Sequence, residues 1–251
     1  VPTLFHPWAE ALVGRLAPSR GIRALDAATG PGTVARILSR VIGRRGQIVA
    51  SDSSPSMIAR AESKPAVDRG AAIAYTVAPA APLPFPDHSF DLVTCQQGLQ
   101  FFPDAGAALT EMRRVLVPNG RLGASVWCPR EECSVFYGMQ EAMFAAGQSK
   151  LAELLSIPFP RWTDEDLAAR ARELGFGSIR VFAETREVVF EGGVDQVFQA
   201  MFGTPIAPLL SALSQQERAA ILEAAHRTLA PLIEGGAVRG PMRSWILLAT
   251  A

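Results

Sequence analysis

Between residues 22 and 127, short apolar runs alternate with segments of helical period, and this alternation constrains the chain more than any other feature. A strand that is apolar throughout must be covered on both faces, and the helical segments between such strands supply the cover. The pattern predicts an α/β fold on one mostly parallel sheet, with strands at 22–27, 47–52, 72–77, 90–94 and 121–127. After the first strand, Val34, Ile37, Leu38 and Val41 fall at i, i+3, i+4 and i+7, a stripe aimed at the sheet. Ser54 offers an N-cap, with Pro55 at the first helical position. A helix over 107–116 turns Leu109, Met112 and Leu116 inward.

The rhythm changes after Trp127. Residues 128–160 read as an irregular, aromatic and Met-bearing insertion. Thr163 caps a helix that carries Leu167, Ala171 and Leu174 and stops at Gly175, and 178–190 alternates as a long strand or hairpin. Residues 192–236 are mostly helical, with a capping box at Ser214 and Glu217 opening a helix that carries Ile221, Ala225, Leu229 and Leu232. Residues 244–250 form a terminal strand, and the chain has no internal repeat.

The 251 residues include 24 Lys+Arg and 24 Asp+Glu with no basic run, which removes the electrostatic footprint of a nucleic-acid binder. No apolar stretch approaches the roughly 20 residues of a membrane span, and the first residues lack the basic head and apolar middle of a signal peptide. A cytoplasmic protein without integral membrane association is expected. The chain opens on Val1 rather than Met, which points to processing or trimming. Cys95, Cys128 and Cys133 are odd in number and form no C-x-x-C pair, so they read as buried or incidental thiols, and no metal site is expected.

Leu25-Asp-Ala-Ala-Thr-Gly30-Pro-Gly32 reads as a strand, a tight turn and a helix start. Glycine at 30 and 32 lets a ligand approach the backbone closely. Asp52 ends the next strand about 20 residues on, where an acid accepts both hydrogen bonds of a ribose diol. The pair indicates a nucleoside-bearing cofactor, and on spacing alone it also fits a dinucleotide fold.

Four ordered segments narrow this: 25–32, Ile48-Val-Ala-Ser-Asp-Ser-Ser-Pro-Ser-Met57, Leu83-Pro-Phe-Pro-Asp-His-Ser-Phe-Asp91 and Glu111-Met-Arg-Arg-Val-Leu-Val-Pro-Asn-Gly120. Together they resemble the successive motifs of class I S-adenosylmethionine-dependent methyltransferases, of methyltransferase type 11, the group related to ubiquinone/menaquinone C-methyltransferases. Phe5-His-Pro-Trp8, the segment 95–104 and the terminal strand extend the resemblance. It implies a Rossmann-like sheet of seven strands in the order 3-2-1-4-5-7-6, mostly parallel, the last-placed strand antiparallel. It further implies a single methyltransferase domain over 1–251: a cover helix at 1–20, a cofactor-binding core at 21–128, cap segments at 129–160 and 192–236, and the rest of the sheet at 161–191 and 241–251. Residues 1–16 are expected to move with the cap.

Carried over residue by residue, the backbone of Ala28, Thr29, Gly30, Pro31 and Gly32 would hold the methionine part of S-adenosylmethionine, and Asp26 would act near its amino group. Asp52 would bind the ribose hydroxyls, and Ser53 and Met57 would line the adenine. Cys95, Gln96 and Gln97 would border the methyl group and the acceptor, and S-adenosylhomocysteine would be the product. Ala28 replaces a usual glycine, Pro31 stands inside the turn, and Asn119 replaces a glycine later on. The sharper departure is Ala78-Pro79-Ala80, where the family commonly has Gly-Asp-Ala, because Pro79 offers the adenine neither a carboxylate nor an N–H.

Methyl transfer from a sulfonium is an in-line displacement that depends chiefly on alignment. His6 and Gln97 are the candidates for an assisting base and an acceptor contact, whereas His88 and His226 read as solvated positions. Phe136, Tyr137, Met139, Met143, Phe144, Phe198, Met201 and Phe202 offer a roof for a small, largely apolar acceptor, or the core of the cap itself. Two alternatives stand beside this reading. One is a methyltransferase-fold protein that binds cofactor or ligand without methyl transfer, as a scaffold or in a non-methylating rearrangement. The other is a nicotinamide-dependent oxidoreductase, against which stands the absence of Tyr-x-x-x-Lys at Tyr75 and Tyr137.

Overall fold

The computed structural model describes residues 2–204 and 206–251. In chain order the elements are α1 (Pro2–Leu16), β1 (Arg23–Ala27), α2 (Thr33–Ile42), β2 (Gln47–Asp52), α3 (Pro55–Glu62), β3 (Ala72–Val77), β4 (Phe90–Gln96), α4 (Ala105–Val115) and β5 (Leu116–Trp127). They continue with α5 (Ser134–Ala145), α6 (Ser149–Leu155), α7 (Asp164–Glu173), β6 (Gly177–Phe190), α8 (Gly193–Met201), α9 (Ala207–Ala212), α10 (Gln215–Thr228), β7 (Ile233–Glu234) and β8 (Ala237–Thr250). The strands form one sheet in the order β3-β2-β1-β4-β5-β8-β6, with β7 paired onto β8. β1 to β5 are parallel. β8 runs against β5, since Cys128 N–H donates to Arg243 O while Ala251 N–H donates to Gly120 O. The order implied by the resemblance therefore forms, with one more strand than expected, because β7 folds back on β8 as a two-residue hairpin arm.

The chain divides into two compact units, one of residues 5–126, 162–184 and 245–251, the other of residues 1–4, 127–161 and 185–244. In the first, neighbouring residues of β4 serve opposite faces of the sheet, as the strand period requires. Val93 joins Leu25, Leu109, Met112, Leu116 and Leu122, and Leu92 joins Leu12, Val34, Leu38, Ile48 and Ile246. The stripe of α2 is rotated from its expected setting: Val34, Ala35, Leu38, Ser39 and Ile42 are buried, and Val41 is 40% exposed. The short side chains of Ala35 and Ser39 take the inner line, and Ser39 Oγ donates to Ala71 O at 2.8 Å.

α1, expected as a cover helix, packs closely on the sheet of the first unit from Phe5 onward. Trp8, Ala9 and Leu12 have no exposure, and Leu16 packs on β5 where Gly123 leaves room; a Cβ there would stand 2.6 Å from Leu16 Cδ1. Arg121 donates to Leu16 O at 2.6 Å, and Arg15 pairs with Glu184 at 2.7 Å. From Phe5 onward the helix is a wall of the core.

In the second unit, the stretch expected to be irregular forms α5 and α6. Its residues gave no amphipathic period because α5 is buried nearly all round, at Val135, Phe136, Gly138, Met139, Gln140, Ala142 and Met143. Ile221, Ala224 and Ala225 of α10 are buried in this unit, and Thr228 Oγ donates to Gly138 O at 2.8 Å. Of the residues expected to roof an acceptor, Phe136, Met139, Met143, Phe198 and Met201 are buried in the unit's own core, while Tyr137 and Phe144 are exposed. The three cysteines are free and buried. Among the described residues no helix is long and apolar enough to cross a membrane, and no group of three His, Cys, Asp or Glu could hold a metal ion.

Gly123→Ala should destabilise the protein by about 1–3 kcal/mol, the usual cost of overpacking. Combined with Leu16→Ala, which removes the side chain it strikes, its cost should shrink, giving a double-mutant coupling of opposite sign to the single effects. Additive losses in urea unfolding would mean that α1 does not rest on Gly123.

Candidate functional site

The carboxyl end of β1 runs into the glycine turn, where Ala28, Gly30 and Gly32 adopt φ of 54°, 52° and 78°. Glycine takes such angles without strain, whereas Ala28 holds one at a cost of about 1–2 kcal/mol. A Cβ at Gly30 would meet nothing within 4 Å, so that face of the turn is open. Thr29 N–H donates to Ser51 O, and Gly32 N–H donates to Thr29 O, both at 2.9 Å. Lys64 Nζ donates to Pro31 O at 2.5 Å; partial burial and the neighbouring Arg36 and Arg60 pull its ammonium below the usual lysine range.

Asp26 fastens this turn from beneath. Its Oδ2 accepts from Thr29 Oγ1 at 2.5 Å and from Ala35 N–H at 3.1 Å, and its Oδ1 accepts from Thr94 Oγ1 of β4 at 2.8 Å. Ala35 lies in the first turn of α2, whose N-cap residue Gly32 has no side chain to cap it. The strand acid therefore does the capping, a role the sequence spacing did not suggest. Burial raises its carboxyl to about 6 against the pull of those three hydrogen bonds, with Asp52 adding to the rise.

Asp52 ends β2 with its carboxylate spread across the turn. Oδ2 accepts from Gly30 N–H at 2.8 Å, and Oδ1 accepts from Ser54 N–H at 2.9 Å. Each oxygen keeps a second lone pair. Ser53 and Met57 are exposed beside it, and so is Val77, 52% exposed and paired directly with Asp52 in the β2–β3 register. The sequence reading missed Val77; its signal was only its place at the end of the third strand.

After β3, Ala78 N–H continues the ladder to Asp52 O at 3.0 Å, Pro79 is exposed and Ala80 is half-buried. The following loop is held by α4. Leu83 N–H donates to Glu111 at 2.7 Å, and Arg114 donates to Leu83 O, Phe85 O, Asp87 and Glu111 at 2.5–3.0 Å. The Arg114 hydrogen bond holds the Glu111 carboxyl below its usual range. His88 is exposed, and its ring bonds Leu116 O at 2.8 Å, a structural task.

At the end of β4, Cys95 is wholly buried in the core and burial pushes its thiol up to about 12, so it carries no charge at neutral pH. Gln96 Nε2 donates to Phe5 O at 2.9 Å, tying α1 to the strand end. Gln97 is buried at φ 53°, a strained setting for a residue with a Cβ, and its N–H donates to Ser125 O at 2.9 Å. Half-buried His6 pairs along α1 with Glu10 at 3.3 Å.

Residues 25–124 match the model of the family described as Methyltransferase domain. This segment, which contains the glycine turn and Asp52, is similar in sequence to that family. Over 117 residues the chain is 38% identical to the ubiquinone/menaquinone biosynthesis C-methyltransferase UbiE of Saccharophagus degradans, a match that takes in 46% of this chain and 47% of that protein. The chain thus spans about half the length of the curated relatives it matches. Its fold is similar to that of the YcgJ protein of Bacillus subtilis, with a TM-score of 0.63 at 18% identity over 98% of each chain. It is also similar to Haemonchus contortus phosphoethanolamine N-methyltransferase 2 in complex with S-adenosyl-L-methionine, with a TM-score of 0.59 at 18% identity over 97% of this chain and 52% of that one.

Because the folded carboxyl of Asp26 sits at about 6 against an ordinary 3.8, the native state holds a proton that the unfolded chain has already released in the interval between. The stability it contributes is full below the unfolded value and is lost as pH rises through about 6. Asp26→Asn removes this dependence, so unfolding free energies should shift in the variant's favour by roughly 2 kcal/mol between pH 4.5 and 7. A wild-type-minus-variant difference that stays flat with pH would place the raised carboxyl elsewhere.

Proposed function

We propose that the chain transfers the methyl group of S-adenosylmethionine to a small, largely apolar acceptor, releasing S-adenosylhomocysteine. The observation that carries this reading is the open turn at Gly30 set one hydrogen bond, 2.8 Å, from the Asp52 carboxylate. A backbone cradle without a Cβ beside an acid with spare lone pairs fits a nucleoside with an amino-acid tail. The name of the UbiE relative supports a ring carbon of a quinone-type molecule as the methyl acceptor.

When bound, the cofactor supplies an activated methyl group on sulfur, displaced in line by the acceptor. The backbone from Ala28 through Thr29, Gly30 and Pro31 to Gly32 holds the amino-acid portion. The cofactor's ammonium near Asp26 would favour the ionised carboxylate, so binding below about pH 6 would release a proton. Asp52 accepts the two ribose hydroxyls with the lone pairs its backbone bonds leave. Met57 and Val77 would give the adenine an apolar platform, with Ser53, Pro79 and Ala80 as its other neighbours. Cys95, as a neutral buried thiol, backs the end of β4, where Gln96 secures α1 and Gln97 meets the acceptor. His6, paired with Glu10, is the candidate base.

Calorimetric titration with S-adenosylmethionine, S-adenosylhomocysteine and NAD tests the reading. The first two should bind and NAD should not; binding of NAD alone would replace methyl transfer with hydride chemistry. Asp52→Ala should weaken cofactor binding by roughly 1–3 kcal/mol, the range for losing a charged acceptor. Pro79→Asp restores a carboxylate to the adenine edge and should tighten binding by about 1 kcal/mol. Equal or weaker binding by a well-folded Pro79→Asp protein would show that another group already meets the adenine amino group.

A further inference from the structure

Two side-chain atoms near the end of β4 and β5 are buried without any hydrogen-bond partner: Gln100 Oε1 and Ser125 Oγ. Ser125 is 1% exposed. Buried polar groups are almost always satisfied, so two orphans in one neighbourhood need an explanation. They belong to one hydrogen-bonded cluster. Gln100 Nε2 donates to Gln97 Oε1 at 3.1 Å, and Gln97 N–H donates to Ser125 O at 2.9 Å. Gln97 itself is held at φ 53°. The cluster borders the glycine turn, since a Cβ at Gly98 would stand 2.9 Å from the Ala28 Cβ. Strain, burial and unspent hydrogen-bonding capacity thus meet at the carboxyl edge of the sheet, where open α/β sheets bind ligands.

We propose that this edge binds the hydroxyl of a phenol- or enol-type acceptor through Gln100 Oε1 and Ser125 Oγ, a reading that rests on the methyl-transfer function above. The chemistry selects the ligand. One N–H of the Gln100 amide goes to Gln97, and its Oε1 is left as an unmatched acceptor, which a hydroxyl satisfies and an ether or ketone does not. Ser125 Oγ both donates and accepts, so it bonds the same hydroxyl oxygen or a neighbouring carbonyl. A hydroxyl held here lies on the ring that is methylated at carbon, or is itself the methylated atom; the cluster sets which face of the ring turns toward the turn at Ala28.

The test uses 1-naphthol and 1-methoxynaphthalene, of similar shape but differing in the one donor, titrated into the intact protein saturated with S-adenosylhomocysteine. Wild type should bind the naphthol at least about tenfold more tightly than the ether, roughly 1.4 kcal/mol. Gln100→Leu and Ser125→Ala should each reduce that preference, leave S-adenosylhomocysteine affinity unchanged, and melt at the same or a higher Tm without ligand, because each removes an unpaired buried group. A lower Tm in both variants with the preference intact would make the cluster structural and overturn the proposal. So would equal binding of the two probes by wild type, or binding of neither. Failure of S-adenosylhomocysteine to bind wild type would instead sink the methyl-transfer reading itself.

Discussion

One buried carboxylate, that of Asp26, joins β1, the glycine turn, α2 and β4. Through Thr29 it fixes the turn, through Ala35 N–H it caps a helix that has no cap of its own, and through Thr94 it locks the neighbouring strand in register. An acid this deep is costly unless every lone pair used is matched by a donor, and three donors converge on it. Its carboxyl nevertheless rises to about 6, so the desolvation cost is only partly offset. A carboxyl with this uncompensated desolvation is well placed to respond to a nearby cation.

Arg114 does for the 83–87 loop what Asp26 does for the glycine turn. It spans two backbone carbonyls and two carboxylates, while Glu111 takes the Leu83 N–H. The segments 83–91 and 111–120, which stand out in the sequence as separate motifs, are thus two halves of one clamp. Their hydrogen bonds hold the chain that follows β3 and Pro79. Much of what looks like functional signature in the sequence is the scaffolding that positions a few backbone groups.

The carboxyl edge of the sheet holds two strained residues and two unpaired polar atoms close together. Ala28 and Gln97 both adopt positive φ, and Gln100 and Ser125 leave polar atoms unpaired. These features lie within a few residues of the ends of β1, β4 and β5. Strain beside unpaired buried polar atoms is a physical mark of a site built for a ligand rather than for stability.

The sequence by itself determined the parallel strands to within a few residues, the glycine turn, the acid at the end of β2 and the caps at Ser54, Thr163 and Ser214, because each of these is written in local periodicity or in a residue whose backbone chemistry is unique. It did not reveal α5 and α6, since a helix buried on all sides carries no amphipathic period. Nor did it show how deeply α1 is buried, because the residues that cover Trp8, Leu12 and Leu16 lie far along the chain. Only the tertiary structure assigned Asp26 to capping, placed Val77 opposite Asp52 and brought Gln97, Gln100 and Ser125 together. Those relations depend on which strands are neighbours, and neighbours in a sheet ordered β3-β2-β1-β4-β5-β8-β6 are set by long-range packing rather than by adjacency along the chain.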